Sequence, residues 1–302
     1  MTEYKKNYRP VKKRPDTVLS PSESTELLKF LLQSLPLSRN GIKSLLTHGQ
    51  IWVNGKVVTQ YNHLLQPGQE VMVRWEMIRD HGQAYQIKII YEDAFVIVIE
   101  KPAGLLTIAT EQEKEKTAYH WITDMAKERD QHARIFIVHR LDRETSGLMM
   151  FAKDETTKLL LQNNWKERMV DRAYLAVVEG QVNDEAGSTR SWLKETKTRL
   201  MYSSAREGDG LEAITEYKVL QRASKYTLLE LRLKTGRKNQ IRVHMKDMGH
   251  SIVGDRKYGA TSSPIKRVAL HAHILAFYHP QTQELMRFET EVPKKFMELM
   301  RK

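Results

Sequence analysis

Residues 135–154, IFIVHRLDRETSGLMMFAKD, place two short apolar runs around a nine-residue, mainly polar insert. Ile135–Val138 and Leu148–Phe151 read as strands, and the insert HRLDRETSG between them carries His139, Arg140, Asp142, Arg143 and Glu144. Hydrophobic strands at both ends hold such a loop rigidly, so it can present a carboxylate with fixed geometry among opposite charges. A salt-bridged surface hairpin loop fits the same residues. A histidine at the end of a buried strand, such as His139, is more often structural than an acid or base.

The flanking sequence is mostly strands. Ile87, Ile89 and Tyr91, then Phe95–Ile99, read as two strands around a turn at Glu92–Asp93, ended by Lys101–Pro102–Ala103–Gly104. A helix is expected over 117–129, with Tyr119, Ile122 and Met125 on one side. Further on, Leu229, Leu231 and Leu233 alternate as a strand, Thr235–Gly236 turns the chain, and Ile241, Met245 and Met248 line one helix face. Arg242 is expected beside that stripe rather than on it. Strand hairpins outnumber helices, which excludes a doubly wound nucleotide-binding sheet.

The front of the chain has a different pattern. Leu28, Leu31, Leu32 and Leu35 repeat at helical spacing from Glu23 until Pro36 stops the run; a second helix follows with Ser38 as N-cap, Ile42, Leu45 and Leu46 buried, and Gly49 at its end. Asn54-Gly55 between apolar runs marks a tight hairpin turn, and Pro67–Gly68 precedes a last strand over 70–75. The chain thus divides into a basic flexible arm (1–17), a small module (18–76), a polar linker (77–86) and a large domain (87–302).

Charge indicates the class of partner. With 49 Lys and Arg against 37 Asp and Glu, the 302-residue chain carries a formal charge of +12, which favours polyanions and nucleic acid first. It has no cysteine, so disulfides, thiolate zinc sites and cysteine nucleophiles are excluded. No apolar run approaches the roughly 18 residues of a membrane span, and the basic start lacks the apolar core of a secretory signal. The expected location is the cytoplasm, with no membrane partner.

Five segments in order resemble a known family. HRLDRETSGL (139–148) is similar to the signature of the RNA pseudouridine synthases of the RluA/RluD type, which modify ribosomal and transfer RNA. VIEKPAGLLT (98–107), RAYLAVVEG (172–180), TGRKNQIRVHM (235–245) and LHAHILAFYHP (270–280) resemble the family's other motifs. LSRNGIKSLLTHGQIWVNGKVV resembles the alpha-L RNA-binding domain, a frequent companion in that family. The resemblance implies an α+β fold: a catalytic domain on a mixed, mainly antiparallel sheet with flanking helices, behind a small module of two helices and a hairpin.

By the same resemblance Asp142 is the essential carboxylate, Arg242 its basic partner, and Tyr174 the aromatic against the target base. Arg140 holds the target nucleotide out of its stack, Leu270 packs near the uracil or Asp142, and Lys101 shapes the ground beneath the loop and counts with the substrate-binding residues. Arg39, Lys43 and Lys56 contact phosphates. No cofactor or metal is implied. The partner is structured RNA, large-subunit ribosomal RNA first and transfer RNA as the alternative, with a pre-ribosomal particle as its setting, and a monomer suffices. One position departs from the family: Asn239 stands where a histidine is usual, and it is expected to cap the helix carrying Arg242. Two readings compete. A non-catalytic RNA-binding or ribosome-assembly factor fits the charge equally well, while a metal-dependent nuclease would need carboxylates that His244, His250, His271 and His273 lack at ligand spacing.

Overall fold

The computed structural model describes residues 15–47, 49–75 and 87–301. The chain divides into two compact units, Met1–Ala84 and Tyr85–Lys302. The expected linker lies outside the described residues, as does the basic arm up to residue 14; Thr17, placed in the arm, already belongs to a strand.

The first unit contains β1 (Thr17–Leu19), β2 (Thr25–Glu26), α1 (Leu27–Ser34), α2 (Arg39–Thr47), β3 (Ile51–Val53), β4 (Lys56–Val57), β5 (Leu64–Leu65) and β6 (Val71–Val73). Four strands form an antiparallel sheet in the order β1-β6-β3-β4, and β2 pairs with β5. That pairing explains why α1 starts at Leu27 and not near Glu23, since Thr25–Glu26 are committed to β5. Ser38 caps α2 by accepting from the Gly41 amide at 3.2 Å. Asn54 and Gly55 both take positive φ, 48° and 75°, as a tight hairpin turn demands. Leu27, Leu31, Ile42 and Leu46 pack against Ile51, Val53, Val71 and Val73; each such side chain contributes roughly 1.5–3 kcal/mol on burial.

The second unit runs β7 (Lys88–Glu92), β8 (Val96–Lys101), α3 (Ala118–Arg129), β9 (Phe136–Ile137), β10 (Ser146–Ala152), α4 (Glu155–Asn163), α5 (Trp165–Arg168), β11 (Met169–Glu179), β12 (Ala186–Glu195) and β13 (Met201–Ser204). It continues with β14 (Leu211–Arg222), β15 (Tyr226–Leu233), α6 (Gln240–Asp247), a 3-10 turn (Arg256–Tyr258), β16 (Leu270–Tyr278), β17 (Leu285–Glu289) and α7 (Lys294–Leu299). Eleven strands form one sheet along β13-β12-β14-β15-β11-β16-β10-β8-β7, with β17 added to β16 and β9 to β10. The architecture is α+β and mainly antiparallel, as expected; β10 and β16 are parallel. Among the described residues no helix is long and apolar enough to cross a membrane.

The apolar runs are continuous because both faces of the sheet are covered here. Ile97, Ile99, Met149 and Phe151 turn to one side, under Ile122 of α3; Val96, Val98, Leu148 and Met150 turn to the other, with Leu161 and Phe277. A third cluster joins β11 and β15 to Ile241 and Met245 of α6 and to Phe296 and Leu299 of α7.

One glycine fixes where β10 can begin. Gly147 has φ +112°, and a Cβ there would lie 2.1 Å from the Ala272 carbonyl oxygen of β16. The parallel strands therefore meet backbone against backbone just after the polar loop. Gly147→Ala is expected to destabilise the fold by about 3 kcal/mol or more, read from the midpoint of urea unfolding; an unchanged midpoint would refute this account of the crossing.

Candidate active site

The polar insert is a loop between β9 and β10, and its two edges are tied to the segment that follows β8. The Thr107 hydroxyl donates to the Leu141 carbonyl at 2.7 Å, and the Leu141 amide donates to the Thr107 Oγ1 at 3.2 Å. Lys101 Nζ donates to the carbonyls of Pro102 (2.9 Å), Leu105 (2.8 Å) and Arg143 (3.3 Å). Residues 141 and 143 are thus both anchored, and Asp142 between them has little backbone freedom. Lys101 is fully buried, and burial pulls its ammonium down to about 7 against the opposing charges of Asp142 and Glu144. The expectation that it binds substrate is corrected: it has no surface to offer RNA and acts beneath the loop.

His139 accepts the Met150 amide at 3.1 Å and packs 5.4 Å from the Trp165 ring. Burial lowers its imidazole to about 3, so it stays neutral and structural. Arg140 is exposed beside it. Of the four histidines weighed as metal ligands, His244 bonds Ser191 and Thr215, His250 the Glu179 carbonyl, and His271 and His273 share Thr290, His271 bonding Ser146 as well and His273 lying 3.5 Å from Glu289.

Asp142 opens into a cleft of about 1140 Å³, with 27% of its side chain exposed. Arg140, Tyr174, Leu270 and Arg242 line the same cleft. Nine Lys or Arg residues and three carboxylates take part in the lining, so the walls suit a polyanion. Tyr174, in β11, is paired with Leu231 and Ala272, and burial pushes its phenol above the ordinary range. Leu270 opens β16 and is nearly fully buried. Arg39 and Lys43 stand one helical turn apart on α2 and Lys56 on β4, all exposed, on the first unit.

The ion pair expected between Arg242 and Asp142 is present, but Arg242 shares itself with a second, closer carboxylate. Arg242 NH1 approaches Asp142 Oδ2 to 3.8 Å, beyond hydrogen-bond length. Its Nε and NH2 are instead bonded to Asp255, at 2.6 Å each, and its guanidinium lies 4.8 Å from the Tyr258 ring centre. Arg242, beside the Ile241–Met245 stripe of α6, is itself buried. Burial opposes its charge, but the Asp255 pair outweighs this and holds it above the ordinary arginine range. The hydrogen bond to Asp142 comes from Asn239, whose Nδ2 donates to Oδ2 at 2.5 Å. Asn239 sits at the N-cap position with φ 52° and makes no side-chain cap, which corrects the expected capping role. Asp255, Tyr258 and the Asn239 contact were missed from sequence; the run GDRKYG has neither strand nor helix periodicity to flag them.

The chain is similar to known proteins over most of its length. The family model described as RNA pseudouridylate synthase matches residues 95–247, and an S4 domain model matches 27–71. An Aquifex aeolicus protein named as an uncharacterized RNA pseudouridine synthase is 35% identical over 91% of this chain and 92% of its own. The Vibrio cholerae protein named ribosomal large subunit pseudouridine synthase D is 32% identical over 87% of this chain and 86% of its own. Among solved structures, human RNA pseudouridylate synthase domain containing 4 superposes with a TM-score of 0.56 at 26% identity, covering 70% of this chain and 90% of that one.

A buried guanidinium that loses its carboxylate is left uncompensated. Asp255→Ala is expected to lower unfolding free energy by about 3–5 kcal/mol, and the double variant Arg242→Met/Asp255→Leu to recover most of it. Chemical denaturation of the two proteins checks this, and equal losses in both would refute the pairing.

Proposed function

The chain belongs to the RNA pseudouridylate synthase family, and from that premise we propose that it isomerises uridine in large-subunit ribosomal RNA, with Asp142 as the reacting carboxylate. The reaction breaks the bond between uracil N1 and the sugar C1′, turns the base, and joins C5 to the same C1′. C5 gives up a proton and N1 takes one, so composition is unchanged. The observation that carries the reading is a half-buried carboxylate, tied through both neighbours and held by Asn239, at the base of a strongly basic cleft. Attack at C1′ and removal of the C2′ proton are both served by that one group. The two-carboxylate arrangement of glycosidases is a poorer fit, because no role calls Glu144 to the same atom.

Tyr174 supplies a stacking face. Its raised phenol stays protonated near neutral pH, so it does not begin as a base, and stacking on a displaced base is worth roughly 1–3 kcal/mol. Arg140, exposed at the cleft, fills the space that a flipped nucleotide leaves and offsets part of the few kcal/mol that flipping costs. Arg39, Lys43 and Lys56 hold phosphates of structured RNA through the S4 domain. The name of the Vibrio cholerae relative supports ribosomal RNA over transfer RNA as target, either free or in a pre-ribosomal particle in the cytoplasm.

Pseudouridine mapping on total RNA from cells with and without the gene tests both reaction and target: sites lost from large-subunit RNA support the reading, and sites lost only from transfer RNA redirect it. Asp142→Asn is expected to bind RNA with the salt dependence of the wild type and form no product; product at the wild-type rate would overturn the assignment. For Tyr174, Phe is expected to keep turnover within a few-fold while Ala lowers it by about 10- to 100-fold, the scale of one lost stacking contact.

A further inference from the structure

We propose that Asn239 is a positioning residue for Asp142, pinning Oδ2 so that Oδ1 is the oxygen presented to the uridine sugar. The inference rests on the isomerase reading above. Among the described residues Asn239 and Arg242 both address Oδ2, and Oδ1 carries no hydrogen bond. A carboxylate's terminal torsion is broad and soft, so a single short bond decides which oxygen faces the cleft. Arg242 is too far to do this at 3.8 Å, and two of its nitrogens are committed to Asp255.

The orientation of the Asn239 amide follows from the direction of the hydrogen bonds around it. The Met201 amide donates to the Tyr258 hydroxyl at 3.2 Å, which leaves that hydroxyl's own proton for Asn239 Oδ1 at 3.0 Å. The nitrogen end of the amide therefore faces Asp142. From the other side, a carboxylate can only accept, so the same orientation is required. Tyr258 is buried and Asn239 nearly so, and the left-handed backbone at φ 52° turns the side chain away from its own helix and into the site. Asparagine is among the residues that tolerate this backbone best. As a neutral donor it fixes the carboxylate without placing a second charge in contact with it.

The test uses the full chain and total RNA, labelled with tritium at uridine C5, from cells lacking the gene. Asn239→Ala is expected to lower kcat by roughly 100-fold, with KM for RNA unchanged within about twofold and the melting transition retained. Tyr258→Phe, which removes the proton that orients the amide, should give a smaller loss of the same kind. Asn239→His, which can again present an N–H, should recover part of kcat. Wild-type kcat in Asn239→Ala overturns the proposal, and so does a loss that tracks RNA affinity or melting temperature. Should Asn239→Ala fail to fold, Tyr258→Phe decides, and wild-type kcat there overturns it. Asp142→Asn run alongside separates the two readings: turnover in that variant defeats the isomerase assignment itself.

Discussion

A carboxylate moved partly out of water must be compensated by fixed groups, and most of the second unit can be understood as the means of fixing them around Asp142. The compensating cation is itself buried, so it needs a partner that does not depend on substrate. Asp255 is that partner, bonded through two nitrogens of Arg242. With its charge already stabilised, Arg242 contributes to Asp142 across 3.8 Å without gripping it. At an effective dielectric of about 20 that separation still corresponds to an attraction of about 4 kcal/mol before solvent screening at the open side. A bidentate contact would occupy both Asp142 oxygens and leave neither open to the cleft.

Holding those distances is the work of the sheet. Asn239 reaches Asp142 from 97 residues away in sequence, from the N-terminus of α6, and α6 is set by Ile241 and Met245 in the cluster that joins β11 to β15. The loop carrying Asp142 is set from the opposite direction, by Lys101 and Thr107 beneath it and by the start of β10 against β16. Two separately anchored elements therefore meet across the cleft. The close backbone contact at Gly147 permits little adjustment where one of them ends.

Much of this arrangement could be read from residues, and what could not was of one kind. Strands flanking the polar loop, the hairpin at Asn54-Gly55, Ser38 as a cap and the α6 stripe are local patterns, set by period and turn chemistry. Side-chain direction is not local. Lys101 looks like a cation for RNA until three carbonyls enclose its ammonium. Asn239 looks like a cap, but its backbone is left-handed and its amide turns to a distant strand's loop. Arg242 lies beside the apolar stripe as its spacing indicates, but nothing in helix spacing shows that Asp255, thirteen residues on, folds back to pair with it.

On the proposed function, the front module supplies an RNA contact separate from the cleft. Nine cations line the cleft and would attract a phosphate backbone without reading its sequence, and the stacking proposed for Tyr174 would accept any flat base. On the proposed function, selection of one uridine then cannot come from charge, nor from Asp142, whose proposed target is a sugar common to every nucleotide. It has to come from RNA shape, and shape can be sampled best by a second contact on its own domain. Arg39, Lys43 and Lys56, exposed on α2 and β4 of a unit with its own core, are the groups proposed to make that contact, and on the same reading the chemistry assigned to the other unit would stay the same for any uridine.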